Sequence, residues 1–143
     1  LIPGIYNGEA MTSPKHRILF MDDEPIIRDV ACEMLRYLGY EVVEAPDGET
    51  ALKLYEQSLE TGTRFDLLIL DLTIPNGLGA MEIIDRLHSL DSSVRATVSS
   101  GWTHDPAIKN PTEYGFCGVI PKPYDIDVME ERIERLLSAQ PSS

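Results

Sequence analysis

"FDLLILDLTIP", residues 65–75, decides how the rest of the chain reads. Leu67 to Leu70 are apolar without a break, whereas a strand with one wet face would alternate apolar and polar positions. A short run of this kind suits a strand covered on both faces, as in a parallel sheet. It stops at a single acid, Asp71. Four further segments have a similar character on either side: "RILFM" (17–21), "EVVEA" (41–45), "RATVS" (95–99) and "GVI" (118–120). With residues 65–70 they make five candidate strands.

Helical patterns fill the intervals. Pro25 is a good first helical position, and Ile27, Val30, Ala31, Met34, Leu35 and Leu38 follow at helical spacing until Gly39. Asp47 is placed to cap a second helix that turns Ala51, Leu54 and Tyr55 inward. A third carries Ala80, Ile83, Ile84 and Leu87. Pro106 and Pro111 leave room for only a short fourth helix. A fifth runs from about Asp125 with Met129, Ile133, Leu136 and Leu137. Strands and helices in strict alternation predict a doubly wound α/β domain with a five-stranded parallel sheet. Residues 1–15, rich in breakers, read as an N-terminal tail or linker, residues 16–139 as the domain, and 140–143 as a C-terminal tail.

Composition narrows the functions. The formal charge of −12 argues against nucleic acid, whose phosphates need a basic partner. No apolar run reaches the roughly 18 residues of a membrane span, and no signal-peptide pattern opens the chain. Cys32 and Cys117 form no C-x-x-C motif and read as reduced, mostly buried thiols of a cytosolic protein. His16, His88 and His104 lack the spacing of zinc ligands.

In doubly wound sheets, ligands bind beyond the carboxyl ends of the strands. Asp22 and Asp23 follow the first strand, Asp71 ends the third, Ser99, Ser100 and Gly101 end the fourth, and Lys122 follows the fifth. One acid after a strand is ordinarily a solvated loop residue. Three carboxylates, a hydroxyl and a lysine on one edge are a different matter. Carboxylates without Cys or His suit a hard cation, above all Mg²⁺. The lysine and hydroxyl supply charge and a donor for phosphoryl oxygens, and a central carboxylate can act as nucleophile.

An acid pair after the first strand, "LDLTIP" after the third, "SSG" after the fourth and "PKPY" after the fifth resemble the response-regulator receiver domain over about residues 16–139. The resemblance implies a flavodoxin-like (βα)5 fold with strand order 2-1-3-4-5. It implies that Asp71 is the phosphoacceptor, and that Asp22, Asp23, Asp71 and the Thr73 backbone carbonyl hold Mg²⁺. Ser100, which directly precedes Gly101, matches the switch hydroxyl, and Lys122 the paired lysine. Ser99 reads instead as a buried strand residue, and Glu24 as a helix N-terminal acid. Pro123 is expected to follow a cis peptide.

The same resemblance implies a cytoplasmic two-component signalling protein that catalyses only its own phosphorylation and dephosphorylation. Its partners would be a histidine kinase or histidine phosphotransfer protein and a downstream protein or fused domain, without nucleic acid or membrane contact. The sequence departs from the family at Val119, where members often carry an aromatic residue. Trp102 is expected to flank the site and shield the phosphoryl group from water.

Two rival readings use the same acids. A haloacid-dehalogenase-like phosphotransferase also places a nucleophilic Asp after a strand, but with a second acid two residues on, where Thr73 stands here. A receiver-like binding module without phosphorylation needs none of the strand-end chemistry. The start at Leu1 is compatible with a segment excised from a larger protein such as a hybrid histidine kinase.

Overall fold

The computed structural model describes residues 16–101 and 104–139. Strands β1 (Arg17–Met21), β2 (Glu41–Ala45), β3 (Leu67–Asp71), β4 (Ala96–Ser100) and β5 (Gly118–Pro121) alternate with helices α1 (Pro25–Tyr37), α2 (Gly48–Thr61), α3 (Ala80–Leu90), α4 (Pro106–Lys109) and α5 (Ile126–Ser138). A 3-10 turn, Pro111–Tyr114, follows α4. The sheet is parallel throughout, in the order β2-β1-β3-β4-β5. The expected doubly wound flavodoxin-like topology is thus the observed one.

Strand alternation divides the apolar runs between two cores. Leu19, Met21, Leu68, Leu70, Ala96 and Val98 pack on the side of α2 and α3 with Ala51, Tyr55, Ile83 and Leu87. Ile18, Phe20, Leu67, Ile69 and Ile120 pack on the other side with Ala31, Leu35, Met129 and Ile133 of α1 and α5. Every residue of β3 is buried. Its unbroken apolar run is therefore the consequence of two covered faces, each buried Leu or Ile contributing about 1.5–3 kcal/mol.

Local chemistry sets the helix ends. The Asp47 carboxylate accepts the Thr50 N–H at 2.8 Å, and Asp125 accepts those of Asp127 and Val128 at 3.0 and 3.1 Å. Asp105 caps the short α4 through the Ala107 N–H at 2.9 Å. Pro25 opens α1, and Gly39 leaves it with a φ of +100°, a conformation that favours glycine.

Several expectations need adjustment. β3 starts at Leu67 rather than 65, because Asp66 turns its carboxylate to the Arg17 N–H at 2.8 Å and closes the sheet end. β4 and β5 each reach one residue further than expected, so Ser100 belongs to its strand. Val30, though at helical spacing, is 49% exposed, at the lip of an open groove rather than in the core. Cys32 is buried and its thiol pKa is pushed up to about 12, chiefly by burial. Cys117 is exposed, contrary to expectation, because it precedes an edge strand. No described helix is long and apolar enough to cross a membrane. The tails expected at 1–15 and 140–143 lie outside the described residues, as does Trp102.

Candidate functional site

The carboxyl ends of β1 and β3 are neighbours in the sheet, so the acids that follow them meet. Asp22 is fully buried. Its N–H donates to the Ala45 carbonyl at 3.1 Å, extending the β1–β2 pairing by one residue. Its Oδ1 accepts the Glu24 N–H at 3.0 Å. Asp23 is half-buried beside it. Asp71, 7% exposed, ends β3 in register with Ser99, and its carboxylate accepts the Thr73 backbone N–H. One carboxylate oxygen from each of Asp22, Asp23 and Asp71 lies within 4.8 Å of the others.

Lys122 follows β5, two strands from Asp71 and three from Asp22. Its backbone N–H donates to the Ser100 carbonyl at 3.3 Å, which anchors the residue at the end of β4. Its side chain then crosses to place Nζ 2.9 Å from Asp22 Oδ2 and 3.4 Å from Asp71 Oδ2. Burial works against the ammonium, but the two carboxylates outweigh it and hold the Lys122 pKa above its ordinary value. Asp71 responds in the opposite sense. Burial lifts its pKa to about 6 against the pull of Lys122, and the Asp22 charge adds to the lift.

Ser100 stands at the rim, 8% exposed, with Gly101 exposed after it. Val119 is part-buried against the α2–α3 core, and its carbonyl accepts from Arg132 Nη1 at 2.6 Å. The Lys122–Pro123 peptide is cis. Glu24 is exposed, forms the N-cap of α1 without a side-chain cap bond, and lies outside the acid cluster. Ser99 is fully buried, as its place in the strand predicts, and its hydroxyl lies 2.6 Å from the Tyr124 hydroxyl.

Two residues beside the cluster escaped the sequence reading. Tyr124 packs edge-on against Phe20 at 5.7 Å and ties the loop after β5 to β4 through Ser99. Arg28 donates from Nη1 to the Asp22 carbonyl at 2.7 Å. The signal for Arg28 was weak: a cation one turn into the helix that starts after the acid pair. Beyond the acids, Ile26, Ile27 and Val30 of α1 face Lys122, Pro123 and Tyr124 across a shallow, mostly apolar groove.

An all-oxygen set of three carboxylates fits a hard divalent cation such as Mg²⁺, and nothing in it favours a softer metal. A partly raised carboxylate under a lysine, at the open end of a strand, is suited to attack an electrophile whose charge the lysine offsets.

The chain matches the family model described as the response regulator receiver domain over residues 18–134. It is 30% identical over 121 residues to sporulation initiation phosphotransferase F of Bacillus subtilis (strain 168), covering 85% of this chain and 93% of that protein. Other relatives are longer: the chain spans 56% of one transcriptional regulatory protein and 42% of one response regulator receiver protein. Among solved structures, the receiver domain of the hybrid histidine kinase CckA is 35% identical, with a TM-score of 0.67 over 85% of this chain and 99% of that one. The response regulator TrrA of Thermotoga maritima, solved with Mg(2+)-BeF, is 27% identical, with a TM-score of 0.70 over 85% of this chain and 98% of that one.

Proposed function

This chain belongs to the response regulator receiver domain family, and we propose that Asp71 is its phosphoacceptor. It is a receiver domain of two-component signalling. The observation that carries the proposal is the placement of Lys122 Nζ within 3.4 Å of both Asp71 and Asp22 at one sheet edge.

The donor is a phosphohistidine of a histidine kinase or a histidine phosphotransfer protein. A carboxylate oxygen of Asp71 attacks phosphorus, the P–N bond breaks, and the imidazole leaves with the bonding pair and takes a proton from solvent. The product is an aspartyl phosphate. With a pKa of about 6, Asp71 is mostly ionised at neutral pH and ready to attack. Lys122 sits where negative charge gathers on the phosphoryl oxygens. Ser100, at the rim, is the hydroxyl that donates to the phosphoryl group once it is attached. Asp22, Asp23, Asp71 and the Thr73 carbonyl are the residues that would hold Mg²⁺, which when bound supplies positive charge to the phosphoryl oxygens.

The apolar groove between α1 and the loop after β5 borders the same lysine, and it supports docking of the donor there. Ile26 and Val30, 78% and 49% exposed, give that donor an apolar contact beside the acids. The transfer is a single modification of the chain by itself and not turnover of a free substrate. The working unit is residues 16–139. A cytoplasmic setting belongs to the same proposal: Cys32 and Cys117 are free thiols, which a reducing compartment preserves.

Incubation with a small acyl phosphate and Mg²⁺, followed by intact mass, tests the proposal. The chain is expected to gain one phosphoryl group, Asp71→Asn none, and chelation of the metal to suppress the gain. Undiminished gain by Asp71→Asn would overturn it.

A further inference from the structure

Arg28 lies one turn into α1, outside the acid cluster, yet its guanidinium reaches back to the backbone that carries two of the acids. Nη1 donates to the Asp22 carbonyl at 2.7 Å, while Nε pairs with Glu44 Oε1 of β2 at 3.3 Å. The other Glu44 oxygen meets Arg36 Nη2 at 3.2 Å, so the carboxylate that steadies Arg28 is itself held. We propose that Arg28 is a positioning residue for the divalent-cation site, fixing the plane of the Asp22–Asp23 peptide and with it the spacing of the two acids. The inference rests on Asp22 and Asp23 being cation ligands, as proposed above.

The physical basis is peptide planarity. The Asp22 carbonyl, the Asp23 N–H and the α-carbons of both residues lie in one plane, so an anchor on the carbonyl oxygen orients both side chains at once. Asp22 has three other anchors: its N–H on Ala45, its Oδ1 under the Glu24 N–H and its Oδ2 beside Lys122 Nζ. None acts on its carbonyl. The strand has ended at Met21, and Arg28 supplies the partner that a continuing strand would have given. The Arg28 side chain is only 18% exposed, so water competes poorly for the bond. Mg²⁺ demands near-ideal octahedral geometry, and a swing of this plane would displace one ligand relative to the other.

A rival account gives Arg28 no positioning role and treats it as a positive charge beside an acidic site. The two accounts predict opposite signs. Removing a nearby charge would tighten cation binding, whereas releasing the peptide plane would loosen it.

Calorimetric titration of the full chain with Mg²⁺ separates them, with thermal melts run alongside to confirm folding. Arg28→Ala is expected to bind Mg²⁺ about 10-fold or more weakly, the usual scale for losing a group that orients a metal ligand. Arg28→Lys keeps the charge but cannot hold the carbonyl and Glu44 together in one planar fork, so it too is expected to bind more weakly. Glu44→Gln, which removes the ionic hold on the guanidinium, should fall in the same direction by less. If Arg28→Ala does not fold, Arg28→Lys carries the test. Affinity equal to or tighter than wild type in Arg28→Ala, or in Arg28→Lys should Arg28→Ala not fold, overturns the inference. A wild-type chain that binds no Mg²⁺ overturns instead the reading of the acids on which it rests.

Discussion

Asp71 carries a carboxylate whose burial favours its neutral form, lifting its pKa to about 6 from an ordinary 3.8. Because the folded state holds the proton more tightly than the unfolded chain, stability falls as pH rises between about 4 and 6. Above that window the full penalty applies, and below it both states are protonated and the penalty vanishes. Asp71→Asn, without divalent cation, is therefore expected to be more stable than wild type at pH 7 by roughly 1–3 kcal/mol, the scale of such a shift. The gain should disappear near pH 4. Thermal melts across that range check it, and a variant no more stable at pH 7 would mean that Lys122 already neutralises the site. A group that costs stability where chemistry is expected is the usual pattern of a functional site.

Among the elements, α2 and the loop after β3 approach each other closely. The Gly48 N–H, in the first turn of α2, donates to the Leu78 carbonyl at 2.8 Å. A Cβ on Gly48 would lie 2.5 Å from that oxygen and 2.8 Å from Ile83 Cγ2. Helix propensity alone favours Ala over Gly by about 1 kcal/mol. The contact predicts the reverse: Gly48→Ala should destabilise by about 1–3 kcal/mol, as overpacking does. Denaturant melts give the sign directly, and stabilisation would show that the loop bearing Leu72 to Leu78 shifts freely. Its neighbour Asp71 makes the rigidity of this loop a matter for function as well as fold.

At the scale of the whole molecule, two-sided burial made the fold legible: "LLIL" of β3 splits between two cores, and the acids beyond the strands fall on one edge because every strand is parallel. Asp22, Asp23, Asp71 and Lys122 could be brought together on paper, since the ends of β1, β3 and β5 share that edge. What the sequence concealed depends on side-chain direction. The periodicity of α1 marks Val30 as apolar but cannot say that, among the described residues, it stays half-exposed. Ser99 and Tyr124 are 25 residues apart, and only the packed sheet brings their hydroxyls together. Arg28 looks like any helix-surface cation until its reach to the Asp22 carbonyl is seen. Cys117 reads as a buried thiol until β5 proves to be an edge strand. The central claim is that this sheet edge exists to carry a phosphoryl group on one carboxylate. Borohydride reduction of the phosphorylated chain, which converts an aspartyl phosphate to homoserine, followed by peptide mass mapping, tests it most directly. Homoserine at position 71 alone is the expected result; homoserine at position 22 or 23, or none in a chain that has gained the phosphoryl mass, would contradict it.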